Sequence, residues 1–257
     1  MSNTRFVLTN YVDSGTILNG TGGSAPAVDE TSPFTMDRTQ NGDRYSLWKT
    51  GSGASPFLYD IDLGAARAID VAALLGFSTV PAGDLIILTV SYATSYYPGA
   101  WTTFSGTTGA ATRDMGLVIS APVTARYWRF SIATGSASAI TVGRILLGKT
   151  TSYDLGGVHS PGGISTPFQN RIEQQMEDGT FNLNVLGFPG HDFTFPFNKV
   201  LAATRTSMRA IAAATGSVVL VDAEDQVYEV IITGGRANGS RDSSNMFNVS
   251  LEAKRLP

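Results

Sequence analysis

One stretch, Pro56 to Phe77 (PFLYDIDLGAARAIDVAALLGF), constrains the first half of this chain more than any other. Phe57, Tyr59 and Ile61 alternate with Leu58, Asp60 and Asp62, the period-two pattern of a strand with two unlike faces. A turn at Leu63-Gly64 is expected next, then a second strand over Ile69–Leu75. Asp60 and Asp62 share a face, as carboxylates used for acid–base work or calcium do. Their place before Leu63-Gly64 reads better as framework, with Asp62 accepting a hydrogen bond from nearby backbone.

Before this stretch the chain is strand-poor: a short strand is expected within Arg5–Thr9, then a Gly/Ser/Thr/Pro-rich run over Asp13–Ser32. The loop Asp37–Asp43 (DRTQNGD) leads to Trp48, which reads as a core anchor. Asp37, Asn41 and Asp43 are the raw material of a weak calcium site, but they lack EF-hand spacing and a closing bidentate Glu. After it, Leu85–Tyr92 and Trp101–Phe104 form a hairpin across an aromatic loop containing Tyr96-Tyr97-Pro98-Gly99. In Arg126–Ile132, Tyr127 and Arg129 face one way and Arg126, Trp128 and Phe130 the other. Ile140–Leu147 closes this half.

All three tryptophans precede residue 150 and both histidines follow it, so a first domain over 1–150 and a linker over 151–166 are expected. In residues 167–257, alternation over 168–177 and 181–185 flanks Asp178-Gly179, a hairpin signal with a helix over 168–177 as its rival. A helix is expected over 198–214, capped by Asn198, with Val200, Leu201, Met208, Ile211 and Ala212 as its apolar stripe and Gly216 closing it. Strands follow at 217–221, 227–233 and 246–253. The fold class is mainly β: a sandwich followed by a smaller sandwich-like domain with one packed helix.

Chemistry is largely excluded. Without cysteine there are no disulfides or thiolates, and His159 and His191 lack companions at zinc-site spacing. No nucleophile elbow, P-loop or dinucleotide glycine pattern occurs, so the expectation is a protein without enzymatic activity or cofactor. A net charge of −3 with no basic footprint argues against nucleic acid. No apolar run approaches the ~20 residues that cross a bilayer, and the N-terminus lacks a signal peptide's basic and apolar segments.

Four landmarks, in order, resemble discoidin (F5/8 type C, galactose-binding-like) domains: Ser46-Leu47-Trp48-Lys49-Thr50; Phe57 to Gly64, ending in Asp-Leu-Gly; Leu88–Tyr92 with Trp101–Phe104; and Ala125 to Phe130. The resemblance implies a jelly-roll β-sandwich with ligand-binding loops at one end. The stretch from Asp37 to Trp48 is longer than the family's calcium-associated segment. Residues 165–257 more loosely resemble the β-plus-helix domains of long-tailed phage tail tubes and distal tail proteins.

Together these resemblances imply a virion protein, made in the host cytoplasm and placed at the tail tip. It would form a homo-oligomeric ring with tail-tube, tape-measure and hub proteins, its discoidin-like domain facing outward toward host-surface glycans. Arg205 and Arg209, one helical turn apart, would pair across the subunit interface with Asp222, Glu224 or Asp225. The alternative is a carbohydrate-binding module or lectin-type adhesin outside any tail. In it Tyr96, Tyr97 and Trp101 form a stacking platform for sugar rings.

Overall fold

The computed structural model describes residues 5–18, 34–40, 46–50, 56–80, 85–96, 100–110, 114–134, 139–150, 164–168, 171–175, 181–185, 190–200, 202–214, 216–221, 226–236 and 247–255. In chain order the strands are β1 (Arg5–Val7), β2 (Thr16–Ile17), β3 (Trp48–Lys49), β4 (Phe57–Leu75), β5 (Ser78–Val80) and β6 (Leu85–Ala93). Then come β7 (Thr102–Ala110), β8 (Asp114–Thr134), β9 (Ala139–Val142), β10 (Arg144–Gly148), β11 (Ile164–Phe168) and β12 (Arg171–Gln175). The remainder are β13 (Phe181–Val185), β14 (Gly190–Val200), helix α1 (Ala202–Ala212), β15 (Ser217–Val221), β16 (Val227–Arg236) and β17 (Phe247–Arg255).

The chain forms two compact units, one of Thr9–Thr150 with Asp225–Val227, the other of Met1–Leu8 with Thr151–Glu224 and Tyr228–Pro257. The first is a β-sandwich. A six-stranded sheet, ordered β10-β4-β8-β6-β7 with β2 also on β4, faces a three-stranded sheet, β3-β9-β5. Phe57, Tyr59, Ile61, Ile86, Leu88, Val90, Trp128 and Phe130 from one sheet share a core with Trp48, Ile140 and Val142 from the other. Trp48 is the anchor expected of it: fully buried, its ring centroid 5.8 Å from that of Tyr59.

The expected pair of strands around Leu63-Gly64 is one long strand, β4, with a bulge. Its register on β8 jumps from Asp62↔Tyr127 to Arg67↔Ala125, and Gly64 lies in the jump at φ 73°. Glycine takes that left-handed backbone without a Cβ penalty. The Gly64 N–H donates to Asp62 Oδ1 at 2.8 Å, the turn role expected of Asp62. Only one residue of β8, Arg126, lies opposite the bulge, and strict alternation fails there. Ala125 is buried and the Arg126 side chain is 44% exposed, so Arg126 does not share the core face of Trp128 and Phe130.

Two features tie the beginning of this unit to its end. Asn10 Nδ2 donates to the Ile145 carbonyl at 2.9 Å, and Asn10 Oδ1 accepts from Leu147 N–H at 3.0 Å. Asp70, buried on β4, accepts from both the N–H and the hydroxyl of Thr150 at 2.6 Å.

The second unit is a six-stranded sheet, β1-β15-β16-β17-β14-β11, with β12 and β13 as a separate hairpin. Phe6, Met208, Ile211, Val218, Leu220, Val230, Leu251 and Ala253 form its core, so α1 packs Met208 and Ile211 onto the sheet. Three readings differ from the expected ones. The strand within Arg5–Thr9 pairs antiparallel with Val219–Val221, which places the segment before Thr9 in this unit rather than with residues 9–150. Asn198 lies inside β14, a strand missed in the sequence, so it does not cap α1, and Val200 belongs to the same strand. Ala212 is exposed rather than part of the buried stripe. The hairpin reading of 171–185 is correct over β12 and β13, which pair from Arg171↔Val185 to Gln175↔Phe181, whereas Asp178-Gly179 lies outside the described residues.

Candidate functional site

The outward face of the larger sheet of the sandwich carries the site. On β4 and β8, Tyr59, Ile61, Trp128 and Phe130 point into the core, which sends Asp60, Asp62, Tyr127 and Arg129 to the other side. Asp60 lies directly across from Arg129, and Asp62 from Tyr127. Two residues between β6 and β7 lie against this face, Tyr96 beside Tyr127 and Trp101 beside Arg129.

Arg129 donates Nε and Nη2 to the two oxygens of Asp60 at 2.7 and 2.6 Å. Its guanidinium sits 4.2 Å from the centroid of the Trp101 ring. Trp101 meets Tyr96 edge-on at 6.3 Å, and Tyr96 lies 5.9 Å from Tyr127 at a tilt of 39°. The Tyr96 hydroxyl is 3.3 Å from both Asp60 Oδ2 and the Leu18 carbonyl. Arg126 repeats the motif at the rim: its Nε and Nη2 reach Asp62 at 2.7 and 2.6 Å, and its guanidinium lies 5.0 Å from the Tyr127 centroid. Three aromatic rings are thus held between two bidentate Arg–Asp pairs.

The electrostatics follow from those pairs. Two guanidiniums and two carboxylates sum to zero net charge within the cluster. The Arg126 N–H groups hold the Asp62 carboxyl below its ordinary value, burial opposing and the Gly64 N–H assisting. The Asp60 hydrogen bonds raise Arg129, and the Asp62 bonds raise Arg126. Burial, then the Asp60 charge, pushes the Tyr96 phenol up. The cluster offers fixed aromatic surface with hydrogen-bonding groups at its edges.

Of the expected platform, Tyr96 and Trp101 are brought together, both half-buried, and Tyr97 lies outside the described residues. Tyr96 is pinned at its hydroxyl, and Arg129 lies over the Trp101 ring. Asp37 is exposed on a 3-10 helix, Met36–Gln40, where it accepts from the Thr35 hydroxyl, while Asn41 and Asp43 lie outside the described residues. Arg209 is exposed on α1, and nothing described bears on the side chains of Arg205, Asp222, Glu224 or Asp225. Among the described residues no group of three or more His, Cys, Asp or Glu side chains is close enough to hold a metal.

Sequence reasoning missed Arg129 and Tyr127 as members of the site and set Asp60 aside as framework. The signal was present in part: period two places Tyr127 and Arg129 on one face of their strand, and Asp60 and Asp62 on one face of theirs. Only the register joins the two.

Neither a known family nor a curated protein matches the sequence. Among solved structures, the chain is similar to a chitosan-binding module of a chitosanase/glucanase from Paenibacillus sp. IK-5, at 16% identity, with a TM-score of 0.44. That similarity covers 55% of this chain and 99% of the module. It is also similar to the family 32 CBM from Clostridium perfringens NanJ in complex with galactose, at 13% identity and a TM-score of 0.43, covering 57% of this chain and 99% of that one. A Ruminococcus gnavus GH29 fucosidase in complex with fucose is matched at 17% identity and a TM-score of 0.43, over 56% of this chain. The chain spans only 27% of that fucosidase's length.

Proposed function

We propose that this protein binds carbohydrate, without catalysis, through the Tyr96–Trp101–Tyr127 cluster on the outward face of its sandwich unit. The observation that carries the reading is the bidentate Asp60–Arg129 pair with the Arg129 guanidinium 4.2 Å from the Trp101 centroid. Sugar rings present C–H faces that stack on aromatic rings, and rings already fixed in place lose little freedom on binding. The half-buried aromatics supply the stacking surface, and the arginines and the Tyr127 hydroxyl at its edges supply donors for sugar hydroxyls. Calorimetry against neutral oligosaccharides found on a glycan array tests it. Wild type binds, Trp101→Ala loses at least tenfold in affinity with an unchanged circular dichroism spectrum, and an array with no ligand removes the reading.

The tail-tip ring in a virion, made in the host cytoplasm, is the second reading. It is favoured by the order of elements in the other unit: hairpin β12–β13, helix α1, strands β15 and β16, and a last strand β17. Mass photometry decides it. Rings of fixed copy number support a tail component and its outward-facing glycan contact, whereas small species alone support a free binding module.

A further inference from the structure

The two ends of the strand order β10-β4-β8-β6-β7 are treated differently. A sheet edge exposes backbone N–H and C=O groups that invite another strand, and proteins blunt such edges with charge, proline, bulges or cover. At the β10 edge the side chain of Asn10 does this, taking the Leu147 N–H and giving a hydrogen bond to the Ile145 carbonyl. At the other edge lies β7, nine residues long and paired with β6 alone among the described residues.

β7 has one such irregularity, a bulge at Phe104 near its start where the register steps from Val90↔Ser105 to Ser91↔Thr103, and Ser105–Ala110 beyond it pair regularly with β6; charge and proline do not guard it. From Leu85 through Thr112, the whole of the β6–β7 hairpin, there is no Asp, Glu, Lys, Arg or His, and its one proline, Pro98, is in the loop. Thr102 and Thr103 at the start of the strand are exposed. Directly behind the edge, β6 presents Leu85 at 53% and Ile87 at 45% exposure, on the face opposite the core residues Ile86, Leu88 and Val90.

We propose that β7 pairs antiparallel with β7 of a second copy of this chain, joining the two sheets edge to edge into one. A second copy suits this edge because a strand without charge meets its own image with no like charges opposed. A twofold axis through the seam also makes the contact self-complementary: an N–H of one copy meets a C=O of the other, and the reverse bond follows by symmetry. Leu85 and Ile87 lie on the face that the second copy extends. The twofold that relates antiparallel neighbours is perpendicular to the sheet, so it keeps the faces on the same sides. Both Tyr96–Trp101–Tyr127 clusters then look the same way. That last consequence rests on the carbohydrate reading and makes the dimer bivalent toward a glycan-bearing surface, while the dimer itself does not depend on it.

Sedimentation equilibrium of the full chain tests the pairing. A reversible monomer–dimer equilibrium is expected, and a chain that stays monomeric at every concentration overturns the proposal. The double variant Thr103→Lys/Gly106→Lys puts charge on the edge; a Cβ at 106 meets the Leu88 carbonyl oxygen at 3.3 Å, so that strand must give slightly. Folded and at the same concentrations it is expected to be monomeric, and a dimer that survives it places the contact elsewhere and overturns the proposal. Should that variant fail to fold, cross-linking decides. The chain has no cysteine, so Thr103→Cys with a short bismaleimide is expected to give a covalent dimer, whereas Thr206→Cys, exposed on α1, is not. No excess of dimer from Thr103→Cys over Thr206→Cys overturns the pairing. Surface-bound glycan held more tightly than free glycan tests the bivalence separately.

Discussion

Asp60 and Arg129 face each other across the β4–β8 pair and are joined by two hydrogen bonds of 2.7 and 2.6 Å. The Asp60 side chain is only 3% exposed and that of Arg129 24%. The fork geometry of a guanidinium on a carboxylate fixes direction as well as distance, so Asp60 determines where Arg129 lies against Trp101.

Asp60→Asn leaves Arg129 with a neutral partner that cannot accept at both positions. Removing one member of a buried pair costs ~3–5 kcal/mol, and the partial exposure of Arg129 lowers this to about 2 kcal/mol. Urea unfolding monitored by circular dichroism measures the loss. Under the carbohydrate reading, affinity falls as well, because Arg129 no longer holds the Trp101 ring.

Asp62 titrates below its ordinary value because Arg126 stabilises its charged form. A carboxyl whose native pKa is depressed adds stability that is complete above its unfolded pKa and drains away as pH falls through the native one. Thermal unfolding of Asp62→Asn is therefore expected to fall less steeply than wild type as pH drops below about 4. Equal slopes for the two proteins would show that the exposed Arg126 pair contributes no linkage.

Asn10→Ala removes the side chain that closes the β10 edge, leaving the Ile145 carbonyl and the Leu147 N–H without it. An unsatisfied group at a largely buried edge costs ~1–3 kcal/mol. Asn10→Asp keeps the acceptor for Leu147 but loses the donor to Ile145, and falls between the two. Hydrogen exchange at the Leu147 amide reads this directly: fast in Asn10→Ala, slow in wild type.

Residues 9–150 are expected to fold alone. They hold their own core, and their ends are tied by Asn10 to β10 and by Thr150 to Asp70. A sigmoidal thermal transition with near-ultraviolet signal from the buried Trp48 and Trp128 is the expected outcome. A featureless melt would mean that the sandwich needs the rest of the chain.

Much of the scaffold was legible in residue order. Alternation of Phe57, Tyr59 and Ile61, and of Trp128 and Phe130, names the core faces, and Trp48 reads as a core anchor from its sequence neighbours alone. Alternation works because successive side chains of a strand point to opposite faces whatever the strand pairs with. It stops working where pairing itself changes. The bulge at 63–66 turned Arg126 out of the core face, and a three-residue strand at Arg5–Val7 joined Val219–Val221 from the far end of the chain. In β14, Pro196 and Asn198 masked a strand whose Phe193, Phe195 and Phe197 alternate as strands do. Composition and period determined which residues are buried in the sandwich. Register alone, a long-range property that no local pattern encodes, set Asp60 against Arg129 and brought Tyr96 and Trp101 over them.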